Sequence, residues 1–168
     1  MRPRRGPLAT LRAAAAGAAL LLAGCSTTRD LSFKTITFEK APRDVVFKAC
    51  KEVVVSHYYS TRIGIDEAAG RIETDPIEEA IGQEARRQQC YVTVAEEKDG
   101  RVHVELMATL AKLDVDPDRT PALAWRVYAS DRTVEGRLGE EIIGRVLSVL
   151  NDARVVEHTL PPSTTPTK

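Results

Sequence analysis

What this chain of 168 residues lacks first is charge of one sign, because 24 lysines and arginines meet 24 aspartates and glutamates. A balanced chain offers no basic footprint for nucleic acid. Catalytic signatures are missing as well. No G-x-S-x-G elbow, H-E-x-x-H helix or phosphate-binding glycine loop occurs, so the sequence announces no hydrolase nucleophile, zinc protease site or nucleotide cradle. The three histidines, His57, His103 and His158, lie far apart with no second ligand at metal spacing, and read as ordinary helix, strand and tail residues. Asp114, Asp116 and Asp118 imitate the opening of a calcium loop. Arg119 then stands where a glycine must turn the chain, and Trp125 where a bidentate glutamate must close it, which leaves a solvated acidic turn. Gly136, Gly139 and Gly144 fall inside an amphipathic pattern and read as close helix-to-sheet packing, not as a nucleotide fingerprint. No catalytic residue, metal or cofactor is expected.

What is present begins with Leu22-Ala23-Gly24-Cys25. It closes an apolar run of about eleven residues that follows Arg2, Arg4, Arg5 and Arg12, a secretory-signal pattern too short to remain as a spanning helix. The stretch resembles the lipobox of bacterial lipoproteins. That resemblance implies cleavage before Cys25, a diacylglyceryl group on its thiol and acylation of the freed amine. Arg4-Arg5 is followed by Gly6-Pro7 where a twin-arginine signal wants a hydrophobic residue. Ser26, directly after the lipid cysteine, resembles an outer-membrane address, so an outer-membrane, periplasm-facing protein is expected. Each buried CH2 of an acyl chain adds roughly 0.8 kcal/mol, so two or three chains make a durable anchor. The leader's four arginines leave 20 basic against 24 acidic residues in a mature chain of 144, a formal charge of −4. Membrane attachment is therefore expected through the acyl chains and not through a basic patch.

The expected organisation is a cleaved signal over 1–24, a polar tether over 25–31, one domain over 32–156 and a disordered tail over 157–168. Six extended residues from the lipid cysteine reach only about 20 Å, which holds the domain close to the bilayer. Alternation over Ser32 to Lys40 predicts a strand. Pro42, preset for a first helical turn, then opens a helix to about Tyr58 with Val46, Ala49, Cys50, Val53, Val54 and His57 along one stripe. Tyr59–Asp66 and Arg71–Asp75, joined through Gly70, predict a hairpin. Ile77 to Gln89 reads as a loose helical turn or a long solvated loop. Gln89–Glu97 and Arg101–Lys112 form the clearest hairpin, with Asp99-Gly100 at its tip. Asp114 to Thr133 holds either a strand around Trp125 or a long loop. Val134 to about Ala153 predicts the last helix through Leu138, Ile142, Val146, Val149 and Leu150.

The segment from Ala41-Pro42 through Val46-Phe47-Lys48-Ala49 to Asp66-Glu67-Ala68-Ala69-Gly70-Arg71-Ile72 resembles the BamC-like (NlpB-like) lipoproteins. The resemblance covers roughly residues 36–75 plus the order of elements after them. It implies a helix-grip arrangement and an accessory role in outer-membrane assembly. Independently, two helices with one apolar stripe and two hairpins with one apolar face share a partner most simply as an α+β fold, a mainly antiparallel sheet with both helices on one face. Thr93, His103, Glu105 and Met107 then occupy the outer face.

Two groups of residues stand out in that frame. Cys50 and Cys90 point inward, either as a disulfide stapling helix to sheet, worth about 2–4 kcal/mol, or as two small buried apolar residues. Trp125, Arg126 and Tyr128 are the residue types that dominate binding hot spots, and either dock an envelope protein partner or, for Trp125, plug an open end of the core. A lipid-anchored, non-enzymatic accessory protein is the first functional expectation. A small-ligand or lipid carrier, with a pocket between sheet and helix, is the alternative.

Overall fold

In the computed structural model the described residues are 31, 33–81, 84–115 and 123–159. They form, in order, β1 (Lys34–Glu39), α1 (Arg43–His57), β2 (Ile63–Asp66), β3 (Arg71–Thr74), β4 (Ile77–Ile81), β5 (Glu84–Glu96), β6 (Val102–Val115), β7 (Leu123–Ser130), α2 (Arg132–Val149) and β8 (Arg154–His158). All pairings are antiparallel, with strand order β2-β3-β5-β6-β1-β8, β4 on β5 and β7 on β6. The fold is α+β, as expected, with both helices contributing to one core against one face of the sheet.

The long β5–β6 ribbon is the spine. Even-numbered positions Cys90, Val92, Val94, Val102, Val104 and Leu106 face the core, where they meet Val46, Cys50, Val53 and Val54 of α1 and Leu138, Ile142 and Val146 of α2. This is the alternation of a strand pair with one buried face. Gly100 (φ 81°) follows a turn in which its N–H donates to the Glu97 carbonyl at 3.0 Å, so three residues close the hairpin, with glycine at the left-handed position.

Along its length the ribbon has two different halves. Near the tip, β3 borders β5 at Tyr91–Thr93 and β1 borders β6 at Val102–Leu106, and the helices cover this half. At the base, β4 borders β5 over Glu84–Gln88 and β7 borders β6 over Thr109–Val115, and no residue of β5 from 84–88 or of β6 from 109–115 belongs to the core cluster.

Several expectations need correction. Ile77 to Gln89 is neither helical turn nor loop but β4 and the start of β5: Arg87 Nε donates to Glu78 Oε1 at 2.9 Å from directly opposite, and Arg86 pairs with Glu84 at 3.0 Å. Charges that read as solvation pair across the strands, as Arg87 does with Glu78, or along one, as Arg86 does with Glu84. The 114–133 stretch does hold a strand, β7. The last helix stops at Val149, which is 67% exposed, and the chain turns into β8 beside β1. Because Thr159 N donates to Thr35 O at 2.9 Å, the domain runs past 156, and residues 157–159 belong to it. Pro42 caps α1 from an extended conformation (ψ 139°) instead of occupying its first turn. Gly136 and Gly139 are buried as a packing role requires, whereas Gly144 is exposed with nothing near its missing Cβ. The leader, the lipobox with Cys25, most of the tether and the residues after Thr159 lie outside the described residues, as do Asp116 and Asp118.

The D-x-x-x-G-x-I segment has a local cause. Asp66 Oδ1 accepts from Ala69 N at 2.9 Å, Gly70 adopts φ 68°, and its carbonyl accepts from Val94 N at 2.8 Å, so Ile72 drops into the core at 1% exposure. Arg43, the first residue of α1, holds this turn down by donating to the carbonyls of Glu67 and Ala68 at 3.0 and 3.2 Å. A Cβ on Gly70 would lie 2.1 Å from the Val94 oxygen, so only glycine fits.

Candidate functional site: the base half of the sheet

Between the β1 and β7 registers, β6 has no neighbouring strand at Ala108, and between β3 and β4, β5 has none at Cys90. Side chains complete the ladder there. Glu135 of α2, fully buried, accepts from Ala108 N at 3.1 Å, while Asp131 N donates to Ala108 O at 2.7 Å. Across the Cys90–Ala108 pair, the buried Thr74 hydroxyl accepts from Cys90 N at 3.0 Å. Asp131 also caps α2 through Val134 N at 3.1 Å and accepts from Gln88 Nε2 at 2.9 Å. Asp131 and Glu135 join α2, and Thr74 joins β3, to the ribbon where its two halves meet. A buried N–H left without an acceptor costs about 1–3 kcal/mol, which explains why a carboxylate and a hydroxyl are buried here.

Cys50 and Cys90 are both buried and both free, so the staple entertained from the sequence is not formed. Desolvation by burial is the main cause that raises both thiols, Cys90 to about 12, with the nearby Glu135 charge adding to it. Neither forms a nucleophilic thiolate near neutral pH. Burial likewise raises the Tyr58 hydroxyl, which lies beside the Cys90 thiol without completing a hydrogen bond in normal geometry. His57 bridges α1 to α2 through Glu141 at 2.9 Å.

Trp125 does not plug the core. It lies half-buried on β7, on the sheet face opposite the helices, opposite Leu113 and under the Arg87 guanidinium, whose carbon is 4.0 Å from the ring centroid. Leu113 and Val127, each near 40% exposed, share that face, and Ala111 between them is nearly covered. Arg126, adjacent in sequence, points to the other side. There it pairs with Asp114 at 3.6 Å and stands in one cross-strand row with Glu79, Arg86 and Lys112. Tyr128 is the extra residue where the β6–β7 register shifts, within electrostatic reach of Arg86. The three expected hot-spot residues therefore share a strand but not a face. Strand alternation separates Trp125 from Arg126, a consequence legible only once 114–133 is known to be extended.

Sequence reasoning missed Arg87, which organises the apolar face, and Glu135 and Thr74, which complete the ladder. The i, i+9 spacing of Glu78 and Arg87 was a usable signal for a hairpin; nothing local marks Glu135 as buried. A groove of about 670 Å³ also opens between α1 and the β2–β3 turn, lined by Arg43, Phe47, Lys48, Lys51 and Glu67. Arg43 is engaged there with turn carbonyls and Lys51 with Glu67 at 3.1 Å. Between helices and sheet the space is filled by side chains, Ile36, Phe38, Val53 and Leu106 among them. Among the described residues no group of three His, Cys, Asp or Glu is placed to hold a metal, and no helix is long and apolar enough to cross a membrane. The chain matches no protein-family model and no curated protein.

Proposed function

We propose that this chain is a lipid-anchored accessory protein of the bacterial envelope, tethered through Cys25 to the outer membrane, facing the periplasm, and acting by binding a protein partner without catalysis or cofactor. The observation that carries this reading is the base half of the sheet, whose β5 residues 84–88 and β6 residues 109–115 lie outside the core cluster and which presents two surfaces of different chemistry. One is apolar, around Trp125, Leu113 and Val127. The other is a row of Arg86, Lys112 and Arg126 with Tyr128 beside it, and Arg and Tyr are the residues interfaces favour. The balance of Glu79, Glu84 and Asp114 against those cations suits a specific polar contact with a folded protein better than bulk attraction to an anionic polymer. The resemblance to BamC-like lipoproteins suggests outer-membrane assembly as the process served.

Two measurements test it on the native protein. Mass spectrometry of the mature N-terminus is expected to find acylated Cys25; an intact leader or an unmodified cysteine removes the anchor. A photo-crosslinking residue at Lys112 is expected to give a defined protein adduct in membranes that the same residue at Lys48 on α1 does not. Identical adducts from both positions, or none from Lys112, remove the partner-binding role.

A further inference from the structure

The apolar surface of the base half raises a separate question, namely what lies against it. It runs along β6 from Met107 through Ala111 to Leu113, with Tyr91 beside Met107 and with Val127 and Trp125 beside Ala111 and Leu113. At about 3.4 Å per residue this strip is roughly 20 Å long. The face also carries polar groups: Arg87 over Trp125 is paired with Glu78, Gln89 donates to Glu73 beside Tyr91, and Arg71 and Glu105 flank Thr93 toward the hairpin tip. On the opposite side of the domain the outward flanks of α1 and α2 carry Lys48, Lys51, Glu52, Glu140 and Arg145 and, among the described residues, no comparable row of aromatic and aliphatic side chains.

The chain enters the domain on this same surface. The antiparallel register puts Lys34 opposite Leu106, which brings the preceding Phe33 beside Met107. Phe33 is 40% exposed and Leu31 39%. Leu31 lies six residues beyond Cys25, a span of about 20 Å at full extension. A domain held that closely, with its entry point on its apolar face and charged helices on the other, meets the bilayer face first.

We infer that the sheet face bearing Phe33, Met107, Leu113, Trp125 and Val127 rests on the lipid surface, with the helices turned away from it. The inference rests on the anchoring at Cys25 proposed above. Aromatic and aliphatic side chains enter the headgroup–acyl boundary, while the Arg87–Glu78 pair over Trp125 stays at the headgroup level, the arrangement that amphipathic surface elements use. The charged row of Arg86, Lys112 and Arg126 is then left on the side open to a protein partner.

Trp125 is the chain's single tryptophan, so its fluorescence reports this face alone. The full-length lipoprotein is reconstituted into vesicles of phosphatidylethanolamine and phosphatidylglycerol whose upper acyl carbons are brominated. If the ring sits roughly 5–10 Å deep, as interfacial elements do, bromination removes about half of its emission, and aqueous acrylamide quenches it little. Val127→Asp, at an exposed position, is expected to abolish the bromine quenching while acylation and circular dichroism stay unchanged; Leu113→Asp serves if that variant does not fold. Acylated protein whose Trp125 ignores the bromines and is open to acrylamide overturns the inference and leaves the anchor standing. Shielding that appears only when envelope proteins are co-reconstituted also overturns it, in favour of a protein on this face. An unacylated Cys25, with no association with the vesicles, removes the inference and the anchoring together.

Discussion

At the residue scale, Cys50 and Cys90 behave as core atoms that happen to titrate. Both thiols are raised in the fold, so the neutral form is the native one. The stability this contributes is fully present below the unfolded value of 9.0 and is lost as pH rises toward the folded values, Cys90 reaching about 12. Above pH 9 each thiol therefore weakens the fold progressively as pH rises. Urea midpoints measured between pH 8 and 10.5 are expected to fall, and to fall less steeply in the Cys50→Ala, Cys90→Ala protein; equal slopes contradict the account. Two glycines give a sharper contrast. Gly70→Ala sets a Cβ against the Val94 carbonyl in a left-handed backbone and is expected to cost at least about 2 kcal/mol. Gly144→Ala, on an exposed helix surface with nothing within 4 Å, is expected to gain about 0.5–1 kcal/mol. Thermal melts of the two variants shifting in the same direction would refute the distinction.

At the level of elements, the join between sheet halves rests on Glu135 and Thr74, each accepting the N–H of one member of the Cys90–Ala108 pair. Glu135→Gln keeps an acceptor and is expected to cost less than about 1 kcal/mol, whereas Glu135→Leu leaves Ala108 N unsatisfied and costs about 1–3 kcal/mol more. Thr74→Val should resemble the leucine variant in denaturant unfolding; if the glutamine and leucine variants unfold alike, the carboxylate is not acting as a ladder acceptor. The same geometry shows what was legible beforehand. α1, β3, the tip half of the β5–β6 hairpin and most of α2 each bury one side, and one-sided burial is what produces a readable period. β4 and β8 leave no such trace: Glu78, Glu79, Arg154 and Glu157 lie on solvated strands, where alternation of polar with polar looks like a loop. Trp125, Arg126 and Tyr128 were noticed for their chemistry. Their division between two faces depends on a register and a bulge that only β6 determines.

For the whole molecule, the long ribbon implies two levels of stability within one chain. The tip half is flanked by β3 and β1 and covered by helices, so Val92, Val94, Val104 and Leu106 are at most 2% exposed. The base half is a four-stranded segment, β4-β5-β6-β7, in which Lys112, Leu113, Arg126 and Val127 are exposed on one face or the other. Few buried apolar contacts mean a low free energy of local opening, whereas residues in the core exchange only through global unfolding. Hydrogen exchange on the detergent-solubilised protein is therefore expected to show slow amides at 90–94 and 102–106 and faster ones at 77–81 and 123–130, with 109–115 between them. Sites of binding are drawn from such low-stability regions because a partner can supply the cover they lack. Moving the same protein into vesicles should accordingly slow β7 and leave the tip half unchanged. Uniform protection before the transfer, or slowing that begins in the helices, would mean that the base half is no less stable than the core and that the bilayer meets some other surface.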